Sequence, residues 1–109
     1  LTYELTVITF VEDERFTAAA DRLLSDDERF DLMLKLATTP DAGDIIPHSG
    51  GCRKLRLAAK GKGSRGGARV IYFHRSRAGQ ILLLEFYTKN EESDVSPAEL
   101  WTLKRKMRT

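Results

Sequence analysis

Lys54 and Arg56 alternate with Leu55 and Leu57, so an extended strand sets both cations on one side and both leucines on the other. Further on, Glu85, Tyr87 and Lys89 alternate with Leu84 and Phe86, and Leu82 keeps the phase of Leu84 and Phe86. Between these runs, Arg69 stands on the side away from Val70 and Tyr72, although Ile71 and Phe73 blur that pattern. If the leucine sides pack inward, Lys54, Arg56, Arg69, Glu85, Tyr87 and Lys89 share an open face. Guanidinium forks match non-bridging phosphate oxygens and keep their protons, whereas an amine or a carboxylate can pass one on. Such a set suits a phosphate-bearing ligand.

The distribution of charge points the same way. From Ile45 to Leu84 there is no Asp or Glu, yet that stretch holds nine of the 18 Lys and Arg residues: Arg53, Lys54, Arg56, Lys60, Lys62, Arg65, Arg69, Arg75 and Arg77. Residues 1–44 carry eleven acids against four bases, so the formal net charge of +2 conceals a bipolar chain. A cationic field mixed with strand sequence is the footprint of a nucleic-acid surface, against the plainer reading of a solvated face.

The elements that must position these residues are legible as a single domain over residues 1–109. Tyr3 to Val11 is β-branched and aromatic and predicts a first strand. Phe16, Ala20, Leu23 and Leu24 form one apolar helical face and predict a helix from about Asp13 to Leu24. Ser25 with Glu28 reads as a capping box for a second helix, with Phe30, Met33, Leu34 and Ala37 as its apolar stripe. Pro40 to Gly51 is dense in turn formers. Strands follow over Arg53 to Ala58, Ala68 to His74 and Gln80 to Lys89, joined by a Lys60 to Gly67 loop and an Arg75 to Gly79 turn. Ser96, Pro97 and Glu99 start a last helix, on which Leu100, Trp101 and Leu103 are expected to pack on the core. The order β-α-α-β-β-β-α predicts an α+β fold, with the helices on one face of an antiparallel sheet.

Other chemistries find little support. Gly61, Gly63 and Gly66 match the spacing G-x-G-x-x-G, but a dinucleotide fingerprint needs a helix next and a strand follows. A phosphate-reaching loop built on Lys60, Lys62 and Arg65 is the better reading. His48, His74 and the lone Cys52 show no metal-ligand spacing, so neither a metal nor another cofactor is expected. His74 reads as edge or core packing and Cys52 as a structural thiol. No apolar run approaches the ~20 residues that span a bilayer and no secretory signal opens the chain. A cytoplasmic protein without membrane contact is therefore expected.

Three blocks carry a resemblance. Gly50 to Arg56 reads G-G-x-R-K-x-R, Gly61 to Tyr72 reads G-x-G-x-R-G-G-x-R-V-I-Y, and Tyr87 to Glu91 reads Y-x-K-N-E. Together they resemble the RelE/HigB superfamily of bacterial type II toxins, in its HigB-like branch. The resemblance implies a RelE-like fold and a metal-independent endoribonuclease that cuts mRNA on the translating ribosome. It also implies a cognate antitoxin, of helix-turn-helix, HigA-like type, through which DNA would be met only indirectly. Lys54, Arg56 and Arg69 stand where such toxins place basic catalytic residues, and Lys89 lies in the segment that supplies another. Relatives often carry an Arg at the position of Asn90, and some a Tyr near Ser96, so the general acid and base stay open. In RNA cleavage without metal, Arg56 and Arg69 are candidates for phosphate stabilisation, Lys54 or Lys89 for base or acid, and Glu85 for a further base or an ion-pair partner of Arg69 or Lys54. Arg53, Lys60, Lys62, Arg65 and Tyr87 are the expected RNA-binding residues. Two other readings stand beside this one: a non-catalytic RNA- or ribosome-binding module, and an inactive relic that only binds its antitoxin.

Overall fold

Asp13 accepts a hydrogen bond from Arg15 N at 2.9 Å and so opens helix α1, Glu14–Leu23, which ends at Leu24 close to the expected bounds. Ser25 and Glu28 close both halves of the capping box, at 3.1 and 2.9 Å, and start α2, Asp26–Thr38. Ser96 and Glu99 repeat the device, with Pro97 in the first turn, for α3, Pro97–Lys106. The computed structural model describes residues 1–2, 7–57, 67–91, 93 and 95–107. The first part of the expected opening strand, Ala58 at the end of the expected Arg53 to Ala58 strand, the glycine and lysine loop as far as Gly66 with Lys60, Lys62 and Arg65, and Arg108 lie outside the described residues.

Five strands form one sheet in the order β1-β5-β4-β3-β2: β1 is Thr9–Glu12, β2 Asp44–Ile45, β3 Arg53–Leu57, β4 Ala68–Arg75 and β5 Gln80–Thr88. The meander β3-β4-β5 is antiparallel as expected. The sheet as a whole is mixed, because β1 runs parallel to β5, with Thr9 opposite Gln80. The helical hairpin carries the chain back across one face after β1, and a connection of that kind permits parallel pairing. The two-residue β2, inside the segment expected to be all turn, adds an edge beside β3. A short 3₁₀ turn, Ser76–Ala78, joins β4 to β5 through Gly79 at φ 64°.

The helices lie on both faces rather than on one. Phe16, Ala20, Leu23, Leu32 and Leu36 of the hairpin pack with Leu55, Val70, Tyr72, Ile81, Leu83 and Phe86. On the opposite face, Leu100 and Leu103 of α3 pack with Cys52, Ile71, Leu82, Leu84 and Tyr87. Burial on both sides is why Val70 to Phe73 and Ile81 to Leu84 read as continuous apolar runs instead of an alternation. A bulge corrects the expected phase of β5: Ile71 pairs with Glu85 and Tyr72 with Leu83, so Leu84 is extra. Phe86 consequently joins Ile81 and Leu83 under the hairpin, while Leu82 and Leu84 belong to the other face.

The apolar stripe of α2 is also corrected. Leu32 and Leu36 are buried, whereas Phe30 is 65% and Leu34 54% exposed. Both pairs have i, i+4 spacing and lie about 200° apart around the helix, so periodicity alone does not choose between them. The choice falls with Arg29, which shares the face of Leu32 and Leu36 and reaches Glu12 at 2.8 Å and Asp21 at 2.6 Å. Leu36→Ala is therefore expected to cost about 2–5 kcal/mol in urea unfolding. Phe30→Ala and Leu34→Ala should each stay within about 0.5 kcal/mol. The reverse ranking would discard this orientation of α2.

Candidate nucleic-acid interface

The start of β3 is set by the loop before it. Gly43 passes so close to β3 that an added Cβ would lie 3.0 Å from the Lys54 carbonyl carbon and 3.1 Å from the Tyr72 ring. Its N–H donates to Tyr72 Oη at 2.9 Å, and that hydroxyl donates to Pro40 O at 2.7 Å. Burial pushes the Tyr72 phenol up, so it stays a donor. Beyond Ile46, Ser49 Oγ donates to Ile46 O and accepts from Cys52 N, closing a turn in which His48, Gly50 and Gly51 hold positive φ. Cys52 is fully buried, which raises its thiol pKa and fits a structural thiol.

On the β3-β4-β5 meander, register aligns the expected residues in two rows. Arg56 stands opposite Arg69 and Arg69 opposite Tyr87; Lys54 stands opposite Ile71 and Ile71 opposite Glu85. Neighbouring strands are about 4.8 Å apart, so each row spans about 10 Å. Lys54 and Arg56 are exposed and Arg69 is half-buried. Lys89, just beyond β5, is exposed, with its N–H on Gly67 O at 3.0 Å. Among the described residues no carboxylate closes to ion-pair distance on Lys54, Arg56 or Lys89, although Asp44 stands opposite Lys54 on β2. The field of these cations is therefore left open to a ligand.

Glu85 and Tyr87 sit deeper, at 7% and 9% exposure. Glu85 accepts a hydrogen bond from Ser93 Oγ at 2.6 Å, an orienting partner that no spacing in the sequence announces. Arg53 leaves the group. It lies opposite Tyr72 on the hairpin side, where Nη1 donates to Gly43 O at 2.8 Å and Nε approaches Asp41 at 3.7 Å. His74 Nδ1 meets the same Asp41 at 3.3 Å, an edge contact in keeping with its expected packing role.

The upper half of this face is closed by α3. Arg75 donates to Lys104 O and Met107 O, at 2.9 and 3.0 Å, and so satisfies the last carbonyls of the helix. Lys104 Nζ donates to Gly50 O and lies 4.0 Å from the centre of the Phe73 ring. Leu100 is buried and Leu103 partly so, but Trp101, expected to pack with them, is exposed. Two cations of the basic middle and last helix are thus structural, and the open cations gather at the end of the sheet that α3 leaves bare. Among the described residues no group of three or more His, Cys, Asp or Glu is placed to hold a metal ion, and no helix is long and apolar enough to cross a membrane.

Arg53 and Arg56 separate the two roles. Arg56→Ala should weaken binding of single-stranded RNA and reduce the slope of log affinity against log salt by about 0.7. Arg53→Ala should leave that slope unchanged and lower unfolding stability by about 1–3 kcal/mol. Titrations of an oligonucleotide at several salt concentrations, beside urea melts, read both.

No protein-family model matches the sequence. Among solved structures, the chain superposes on the toxin of the intact E. coli RelBE toxin-antitoxin complex with a TM-score of 0.57 at 16% identity, over 80% of this chain and 100% of that one. A mutant of E. coli toxin RelE in the free state gives 0.59 at 16% identity, over 93% of this chain and 99% of the other. A mutant of the same toxin in complex with an antitoxin RelBc peptide gives 0.53 at 16% identity, over 96% and 100%. These superpositions show the RelE-like α+β fold that the sequence led one to expect, with three helices, here built on a mixed sheet of five strands instead of an antiparallel sheet of four.

Proposed function

We propose that this protein is the toxin of a toxin-antitoxin pair, an endoribonuclease that cuts mRNA on the ribosome without a metal and is held in check by a cognate antitoxin in the cytoplasm. The observation that carries the reading is the cross-strand row Arg56, Arg69, Tyr87 with Lys54 and Glu85 beside it, all on rigid strands of a RelE fold. Similarity to RelE in a RelBE complex and in complex with a RelBc peptide supports an antitoxin as partner. A helix-turn-helix, HigA-like antitoxin would bring any contact with DNA.

RNA supplies its own nucleophile. The 2′-oxygen attacks the adjacent phosphorus once its proton is removed, charge grows on the equatorial oxygens, and the 5′-oxygen leaves when protonated. Arg56 and Arg69 stabilise the equatorial oxygens, since their forks meet two oxygens at once and hold their protons. Proton transfer falls to Lys54 and Lys89, which are exposed. Glu85 is buried and engaged by Ser93, a geometry that suits holding a neighbouring group in place better than receiving a proton from the 2′-hydroxyl. Tyr87 is only 9% exposed, so little of it is open to contact with a base. Lys60, Lys62 and Arg65 complete the proposed phosphate contacts from the segment between β3 and β4.

The test is to add the purified protein to translating ribosomes and map 5′ ends on translated and untranslated transcripts. Cuts confined to translated frames are expected. Lys54→Ala should slow cutting by about 10²–10⁴-fold, and Lys54→Arg should not restore it, because a guanidinium cannot exchange the proton. Arg69→Ala should cost about 10²–10³-fold. RNA binding without any cut would favour a non-catalytic ribosome- or RNA-binding module, and antitoxin binding alone would favour a relic. Wild-type rates in a Lys54→Ala, Lys89→Ala double variant would remove both lysines from the mechanism.

A further inference from the structure

β1 pairs only with Gln80 to Leu83, so the second half of β5 has α1, not a strand, on its outer side. Between them lies a cleft of about 360 Å³, within the usual range for a small-molecule site. Its wall on α1 is made of Ala18 and Ala19, short side chains that leave the room open, and Arg15 and Arg22 stand at its two ends. They are seven residues apart, two turns or about 10 Å along one side of the helix. Its floor includes Glu85 and Tyr87, the same residues that end the two rows of the candidate face. Arg56, Arg69, Tyr87 and this cleft thus follow one another across the molecule.

We propose that the cleft between α1 and β5 is a second RNA subsite, which takes the nucleotide next to the phosphodiester held on the Arg56 and Arg69 row. The inference rests on the reading of that row as an RNA-cleaving face. Arg15 and Arg22 are both exposed and reach the phosphates on either side of the bound nucleotide, Arg22 by exchanging its 3.6 Å contact with Glu91 for the phosphate. Its base lies along the apolar wall. Single-stranded RNA is recognised in this manner, by splayed bases with cations on the backbone. Glu91 gives the base an acceptor: Oε1 is fixed by Thr88 N at 3.2 Å and Thr88 Oγ1 at 3.0 Å, while Oε2 stands 3.6 Å from Arg22. Those bonds from Thr88, and Arg22 after them, hold the Glu91 carboxyl below its ordinary range, so the acceptor is ionised at neutral pH. An ionised carboxylate on the edge of the cleft accepts from the exocyclic amino group of adenine, cytosine or guanine, whereas uracil offers only its ring N3–H between two carbonyl oxygens that the carboxylate repels.

The experiment compares wild type with an Arg15→Ala, Arg22→Ala double variant and with Ala18→Phe, which fills the cleft and leaves every charge in place. Cuts on ribosome-bound mRNA are mapped to the nucleotide, and affinity for a single-stranded RNA oligonucleotide is read by fluorescence anisotropy at fixed salt. The double variant should bind the oligonucleotide about tenfold more weakly. Both variants should cut more slowly and lose discrimination against uracil at one position beside the cut. Circular dichroism and urea melts identify folded variants, and Ala18→Leu replaces Ala18→Phe if the larger ring unfolds the helix. Unchanged affinity and an unchanged cut pattern in folded variants overturn the subsite. If wild type makes no cuts, the nuclease reading fails, and the anisotropy comparison still decides the subsite: equal affinities overturn it as well, and the tenfold loss sustains it as an RNA-binding cleft.

Discussion

One extra residue in the pairing of β4 with β5 governs where every other part of the molecule can sit. Leu84 has no partner on β4, so the alternation of β5 is reset between Leu83 and Glu85. With a regular ladder, Phe86 would share the side of Leu82, and Glu85 and Tyr87 would share the side of Ile81 and Leu83, beneath the helical hairpin. A carboxylate there would face Phe16 without water, at a cost of several kcal/mol unless paired. The bulge avoids that arrangement. It sends Phe86 to an edge-on contact with Phe16, ring centres 6.2 Å apart, and turns Glu85 and Tyr87 toward the face of Lys54, Arg56 and Arg69.

The same face then has two uses. Toward the Ile71 and Leu82 end it is apolar and covered by α3, anchored by Arg75 at its last carbonyls and by Lys104 on the Gly50 turn. Toward the Lys54 and Arg56 end it is cationic and open. A sheet buried on both sides along half its length is stiff, and close packing transmits that stiffness to the open half. Cations held on such strands lose little freedom when they meet a phosphate, so less binding free energy is spent on ordering them.

Much of this was legible in the sequence because the signals are local. Capping boxes at Ser25 and Ser96 work within four residues, and both are present where the spacing put them. Alternation in Arg53 to Leu57 survives because β3 is short and polar on one side. The phase of β5 was not legible: a bulge leaves no mark in Ile81 to Phe86, where every residue but Glu85 is apolar. The face of α2 was hidden for a similar reason, since Phe30 with Leu34 and Leu32 with Leu36 are equal as patterns and only Arg29, through Glu12 and Asp21, distinguishes them. Ser93 as the partner of Glu85, and Arg15 and Arg22 as ends of a cleft, depend on contacts across many residues that composition cannot encode.

Charge gave a correct sum and an incomplete partition. The acid-free stretch counts nine cations, but Arg53 and Arg75 are spent on main-chain carbonyls, one tying the Asp41 to Gly43 turn and the other closing α3. Arginine suits that work because its fork reaches two acceptors with the charge intact. Even so, the absence of acids has a physical reason on the open face. A carboxylate at ion-pair distance from Lys54 or Arg56 would neutralise the field that a phosphate must feel. Glu85 is tolerated at the border because it lies below the surface and accepts a hydrogen bond from Ser93, and Asp41 because it meets Arg53 and His74 on the opposite side. The cationic stretch is thus shaped by folding and by ligand attraction together, and only the three-dimensional register separates the two demands.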